Sequence, residues 1–442
     1  MAVLEGALVA LADLVWGPPL LLLLVGTHLY LTIRTRGVQR YLLRGLRWSV
    51  ARNDDGIGDV SQFGALATAL AATIGTGNIV GVSTAVAAGG PGAILWMWLT
   101  GVLGIATKYA EAVLAVRYRV RTPLGTMAGG PMYVLERGLG MRGSAVAFAV
   151  FTAVAAFGIG NTVQANAIAS LAHEAFQVPP WLTGMVLAGA TGAVLLGGVT
   201  AIAKVCTILV PLMAIWYVGG CLLLLLHHAT AIPGAIGLIV ESACTGHAAI
   251  GGFAGASVRD AVRYGVARGL FSNESGLGSA PIVAAAARTP DAVRQGLIAS
   301  TATFWDTVVL CLLTGLVVVV SGHWRDGLGG AALIRAAFGD LPLAGPLALT
   351  VALLTFVFST ILGWAYYGER AVEYLAGPRA VRPYRLAWVI AVILGAMLSL
   401  PAVWAFADVA NGLMAIPNLV ALLLLGHVVE DETRRHLHRG SR

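Results

Sequence analysis

Apolar runs of spanning length dominate this chain, separated by short polar segments in which arginine is frequent. About eleven mostly apolar stretches can be marked, near 9–33, 62–87, 92–116, 145–173, 181–199, 202–227, 231–256, 296–321, 344–368, 386–403 and 405–428. A helix needs roughly 20 residues to cross a hydrocarbon core of about 30 Å, so each stretch predicts one span. The chain is 58% hydrophobic and 11% charged, with a mean hydropathy of +0.83, against roughly a quarter charged residues in soluble domains. This pattern predicts an all-α polytopic membrane protein. The first stretch follows Glu5 and contains Asp13, has no basic n-region or small-residue cleavage site, and exceeds a signal h-region, so it is expected to stay as a helix. Cys206, Cys221, Cys244 and Cys311 fall within spans without zinc or redox spacing and read as small core residues.

The net charge of +7 changes this picture only through its distribution. Of the 28 Lys and Arg residues, 24 lie in 34–52, 117–142, 257–295, 370–385 and 434–442. Counted through the stretches in order, these segments all fall on one face, which the positive-inside rule makes cytoplasmic. Lys204 joins that side; Arg325 and Arg335, in the loop 322–343, fall opposite. The expectation is an inner or plasma membrane protein with the N-terminus outside and the C-terminus in the cytoplasm. Topology thus accounts for the basic balance without nucleic acid as a partner; lipid is the partner.

No short repeat is present, but the spans divide into an initial segment 1–60, five spans in 61–228, five in 229–428 and a tail 429–442. An odd number per half makes the halves inverted in topology, a plan in which discontinuous helices meet at a midplane site. Both leading helices are expected to be interrupted. In the first, Thr73-Ile74-Gly75-Thr76-Gly77-Asn78 places two glycines and three polar side chains mid-span. In the second, the expected interruption runs from Glu241 through His247 to Gly251-Gly252. Irregular backbone at membrane depth is tolerated where it is buried in protein or lines a cavity. A half-helix that begins there presents N–H groups suited to a carboxylate, and one that ends there presents carbonyl oxygens suited to a hard cation. A zwitterionic amino acid plus a cation is the simplest pair that uses both.

No Ser-His-Asp set, HExxH, Walker A motif or paired catalytic carboxylates occur with the required spacing, which argues against an enzyme. An ion channel also uses backbone carbonyls, but a filter usually needs a ring of identical subunits, whereas one asymmetric pair of breaks suits alternating access. A proton in place of sodium stays open.

These residues resemble the alanine or glycine:cation symporters, the sodium:alanine symporter family. The likeness runs from about Phe63 to Leu425 and includes AATIGTGNIVGVSTAVAAGGPGAILWMW (71–98), KYAEAVLAVRYR (108–119), GGPMYVLERGLG (129–140), GNTVQANAIA (160–169), HAAIGGFAGA (247–256), GVARGLFSNESGLGSAPI (265–282), FSTILGWAYYGER (358–370) and FADVANGLMAIPNL (406–419). The resemblance implies a LeuT-like 5+5 inverted repeat with one extra N-terminal helix, and sodium-coupled import of a small neutral amino acid such as alanine or glycine. It implies that Thr76 and Gly77 receive the substrate carboxylate, and that the carbonyls of Ala71 and Ile74 with the hydroxyls of Ser359 and Thr360 hold Na+. Asn78 and Thr73 are expected beside the substrate, Gln164, Trp364 and Thr360 around it, and Gly75, Gly252 and Phe253 complete the set. Ser275 stands where many members carry alanine, in a block that the span count puts on the cytoplasmic loop.

Bland readings compete at single positions. Asn161, Gln164 and Asn166 are pocket lining or interhelical glue; Ser359 and Thr360 bind the cation or only back-bond to their own helix. Lys108 and Glu111, three residues apart, are expected to pair with each other. Asp306 and Asp408 are intramembrane acids without an assigned role. Glu274 and Asn273, near Arg268, read as a cytoplasmic structural or gating network. His247 is expected to bond freed backbone, with proton acceptance as its other use. Trp96, Trp98, Trp181 and Trp216 read as interface-belt residues, and the amphipathic run Ala331 to Phe338 as a lid or an interfacial surface helix.

Overall fold

The computed structural model describes residues 2–51, 56–123, 125–245, 258–398 and 400–437. Among them the chain is helical apart from one two-stranded hairpin, Val120–Arg121 against Met127–Ala128. Seven helices are long and apolar enough to cross a membrane, and an eighth if one bent pair counts as a single span.

The first predicted stretch is two helices, α1 (Ala2–Val15) and α2 (Pro18–Arg34). Pro18 and Pro19 have no N–H to continue a helix across Gly17, and proline is favoured at a new helix start. After the amphipathic α3 (Leu42–Val50), the bent pair follows: α4 (Gln62–Thr73) and α5 (Gly77–Gly89), at 53°. Ser61 caps α4 by accepting from the Gly64 amide at 3.0 Å. Next come α6 (Ala93–Arg117), α7 (Arg142–His173), α8 (Pro180–Leu195), α9 (Gly198–His227) and α10 (Ala229–Thr245).

The seventh stretch departs from its prediction. Glu241 to Thr245 continue α10 as regular helix; His247, Gly251, Gly252 and Phe253 lie outside the described residues. The helix α11 (Val258–Asn273) then forms where a cytoplasmic loop was expected. Hydropathy misses α11 because it packs through small residues rather than large apolar ones. A Cβ on Gly265 would lie 2.3 Å from the Ala93 carbonyl oxygen, and one on Gly269 2.4 Å from Thr100 Oγ1, so α11 lies directly against α6.

The end of α11 leads into an irregular segment, 274–280, then a helical turn Pro281–Ala284. Ser272 to Ala287 are buried throughout, so the block containing Ser275 is in the core and not on a cytoplasmic loop. This corrects the charge count as well. Asp260 and Ala261 touch Gly89, at the end of α5 remote from Ser61, whereas the Arg288 amide donates to the Val60 carbonyl and Arg294 Nε to Gln62 Oε1. The arginines of 257–295 therefore divide between the two ends of the bundle.

The remaining helices are α12 (Ala292–Ser321), α13 (Gly330–Gly339) and α14 (Ala344–Ala376), then α15 (Val381–Met397), α16 (Leu400–Leu424) and α17 (Gly426–Leu437). Arg34 pairs with Glu430 at 2.5 Å and Arg117 with Glu432 at 2.6 Å. The C-terminal helix is thereby held beside the ends of α2 and α6, consistent with the expected shared side of those arginines.

Candidate functional site

Two interruptions meet in the bundle. At the first, α4 ends where Ile74 turns to ψ 100, and α5 begins at Gly77. The Gly75 amide donates to Asn78 Oδ1 at 2.9 Å, and Asn78 Nδ2 donates to Asp306 Oδ1 at 2.7 Å. Asp306 Oδ2 accepts from Ser272 at 2.9 Å and Thr307 at 2.7 Å. One asparagine therefore ties the break to α12, and Asp306 ties it to α11. Asn78 is fully buried with both amide atoms engaged, so its side chain helps to build the break. Thr76 and Gly77 start a half-helix, where N–H groups have no intrahelical partner.

Directly across, α14 supplies Ser359 and Thr360. Ser359 Oγ lies 3.3 Å from the Ala71 carbonyl oxygen and Thr360 Oγ1 3.3 Å from that of Ile74. Both hydroxyls also back-bond to Phe356 O, at 2.8 and 2.9 Å, so the bland reading is present too. The geometry brings together the four oxygens expected from the sequence, all from buried residues and all neutral. Neutral hard oxygens at a helix C-terminus fit a monovalent alkali cation.

Gln164 Nε2 donates to Ile159 O at 3.0 Å, while its Oε1 is buried without a hydrogen-bond partner. That oxygen faces the break: a Cβ on Gly75 would sit 3.8 Å from it and 2.8 Å from Thr360 Oγ1. Thr73 Oγ1 turns back to Ala69 O at 3.1 Å. Thr76, whose Oγ1 is also buried without a partner, is among the residues lining a cavity of ≈ 360 Å³, with Val80, Ile168, Arg268, Ile334 and Val357. The cavity reaches α13, where Ala331, Ile334 and Arg335 line it; the amphipathic run thus covers a cavity and is not merely a surface helix. Asn161 and Asn166 donate instead to Trp388 O at 2.9 Å and Leu398 O at 2.5 Å, as interhelical ties.

The second interruption is built differently. Glu274, Gly276 and Gly278 take φ of 54, 92 and 85°, a region glycine enters freely and glutamate at a cost of about 1–2 kcal/mol. Glu111 Oε1 accepts the amides of Gly276 at 3.1 Å and Gly278 at 3.0 Å and Asn418 Nδ2 at 2.7 Å. Asn418 Nδ2 also donates to Gly276 O at 2.9 Å. Glu274 accepts Ser279 Oγ on one oxygen and Trp364 Nε1, at 3.1 Å, on the other. The expected Lys108–Glu111 pair is absent: Lys108 Nζ is buried without a hydrogen-bond partner, because the carboxylate is drawn to the amides of the break. Asp408 gives its carbonyl to Trp16 Nε1 at 2.8 Å. Of the four tryptophans expected at interfaces, Trp181 is exposed, Trp216 reaches Ala348 O at 3.1 Å and Trp96 reaches Ala243 O at 3.2 Å. Trp98 Nε1 is buried without a partner.

Ser272, Asp306, Glu111 and Asn418 were not expected at the site. Asp306 and Glu111 carried a usable signal as intramembrane acids; Ser272 carried none.

A family model described as "Sodium:alanine symporter family" matches residues 1–441. A transporter of Haemophilus influenzae is 53% identical over 99% of this chain and 97% of its own. The sodium/alanine symporter AgcS of Methanococcus maripaludis is 50% identical over 95% of this chain and 94% of its own. Among solved structures, MhsT in complex with L-phenylalanine superimposes with a TM-score of 0.61 at 14% identity, covering 83% of this chain and 89% of that one. At that identity the likeness carries the fold, the LeuT type, and nothing about the ligand.

Proposed function

We propose, for a chain that belongs to the sodium:alanine symporter family and is accordingly a multi-pass membrane transporter and not an enzyme, that it imports alanine, glycine or another small neutral amino acid together with sodium by alternating access. The observation that carries this reading is the convergence of Ala71 O, Ile74 O, Ser359 Oγ and Thr360 Oγ1 on one side of a break whose other side begins a half-helix at Thr76 and Gly77. The carbonyl end suits the cation and the amide end a carboxylate. With Gln164 Oε1 3.8 Å and Thr360 Oγ1 2.8 Å from any Cβ on Gly75, the room at the break suits a small side chain. In this reading the eleven-span, 5+5 inverted arrangement has the N-terminus outside, and cation binding favours the outward-open form.

Reconstituted protein should accumulate labelled alanine only under an inward sodium gradient. Uptake indifferent to sodium, uptake driven by a proton gradient alone, or a conductance that does not saturate would each overturn the proposal. Competition by a panel of amino acids against alanine then ranks the substrates.

A further inference from the structure

Within one helical turn, α14 holds both interruptions. Thr360 Oγ1 donates to Ile74 O, at the end of α4, and Trp364 Nε1 donates to Glu274 Oε1, the first residue of the second interruption. Residues four apart share a helix face, about 6 Å apart along the axis. Packing along this face leaves little slack: a Cβ on Gly160 would lie 2.1 Å from Trp364 Cβ, and one on Gly363 2.8 Å from the Ala72 amide nitrogen. Glu274 is itself fixed, because Ser279 holds its other oxygen and its backbone stands in the left-handed region.

We propose that Glu274 is a positioning residue that couples the cation site to the second interruption through Trp364 and α14. The inference rests on the sodium-coupled reading above. A cation shared by the oxygens of Ile74 and Thr360 replaces a 3.3 Å hydrogen bond with a common ligand, and so fixes α14 against α4. Because Trp364 rides on the same turn, the position of α14 decides whether its indole N–H reaches Glu274, and with it how the 274–280 segment closes beneath the substrate. Coupling of this kind is reciprocal: what sodium does for substrate affinity, substrate does for sodium.

The test is alanine affinity of the full chain in lipid nanodiscs, with sodium and with choline in its place. The wild-type ratio of the two dissociation constants should fall in the range of about 5–150 usual for coupled sites. Glu274→Ala should lower that ratio about fivefold or more while alanine affinity in choline changes less than about twofold. Glu274→Gln should restore most of the ratio, since its amide oxygen still accepts the Trp364 indole N–H. A role confined to stability would shift the unfolding temperature and both affinities together, and that result, or an unchanged ratio, overturns the proposal. If Glu274→Ala does not fold, Trp364→Phe, which removes the indole N–H and leaves Glu274 in place, replaces it: a lowered ratio supports the tether, and an unchanged one overturns it. Should wild-type alanine binding be indifferent to sodium, the proposed function itself fails, a result distinct from any behaviour of the variants.

Discussion

The two interruptions satisfy their backbone in opposite ways. At 74–77 the freed groups face other helices and a cavity: carbonyls of Ala71 and Ile74 meet hydroxyls at 3.3 Å, and Gln164 Oε1 and Thr76 Oγ1 are buried without partners. At 274–280 the freed amides of Gly276 and Gly278 are already taken by Glu111, and Asn418 closes the Gly276 carbonyl. Buried backbone must be paired with something. At 274–280 the protein itself supplies the partners of the freed amides, although Glu111 Oε2, Lys108 Nζ and Asn273 Nδ2 are buried without hydrogen-bond partners as well; at 74–77 the freed carbonyls meet only the side-chain hydroxyls of α14. In the proposed reading the first interruption is the one that binds, and the second the one that positions.

The largest effect expected from this contrast is at Glu111. Glu111→Ala takes the acceptor from two buried amides and from Asn418 Nδ2 and should cost about 3 kcal/mol or more, at roughly 1–3 kcal/mol for each buried donor left unsatisfied, read as a collapse in the yield of folded protein or in its unfolding temperature. A mild loss would mean that Glu111 is not what holds the second joint.

Next come the glycines of the first break. Gly75→Ala drives a Cβ to 2.8 Å from Thr360 Oγ1, whereas the nearest atom to a Cβ on Gly77 is 3.6 Å away. Alanine uptake should fall by about tenfold or more for Gly75→Ala, the loss of about 1.4 kcal/mol or more of site stabilisation, and by far less for Gly77→Ala. Equal losses would contradict the placement of Thr360 against Gly75.

Thr360→Ala should raise the sodium concentration for half-maximal uptake several-fold before it alters the ranking of substrates; the reverse order sinks the cation assignment. The smallest effect lies outside the membrane. The His323 ring, bonded to Asp340 and Asp326 at 3.0 Å each, has its pKa raised, first by the hydrogen bond to Asp340 and then by that to Asp326. Its contribution is present below the ordinary histidine value near 6.5 and is lost as pH rises through the folded value. Pairs this exposed are worth about 0–1 kcal/mol, so His323→Gln should flatten a small decline in unfolding temperature above about pH 6.5 and leave sodium half-saturation unchanged. A shift in half-saturation would couple the lid to the binding break.

The first break was legible because glycine, threonine and asparagine stand out inside an apolar run. Of the one expected from Glu241 to Gly252, only 241–245 fall among the described residues, as regular helix. The break at 274–280 was not legible, for the converse reason. Its helix, α11, carries Arg259, Arg263 and Arg268 and packs through Gly265 and Gly269 against α6, so hydropathy reads a loop. Glycines in 246–252 drew the expected break there, while Gly276 and Gly278, at positive φ, mark the one observed among the described residues. Lys108 and Glu111 show the same limit: spacing along a helix predicts a pair, but amides from residues 165 and 167 positions away take the carboxylate.

The amino-acid sequence alone determines the solvent and an interrupted span at Gly75–Asn78, since these follow from composition and from residue types inside an apolar run, and the family resemblance it carries names the four oxygens of the candidate cation site. Only the tertiary structure decides which partners the freed groups of each break find. That choice depends on the side chains that distant helices bring to each freed N–H and C=O, and no local pattern records those encounters.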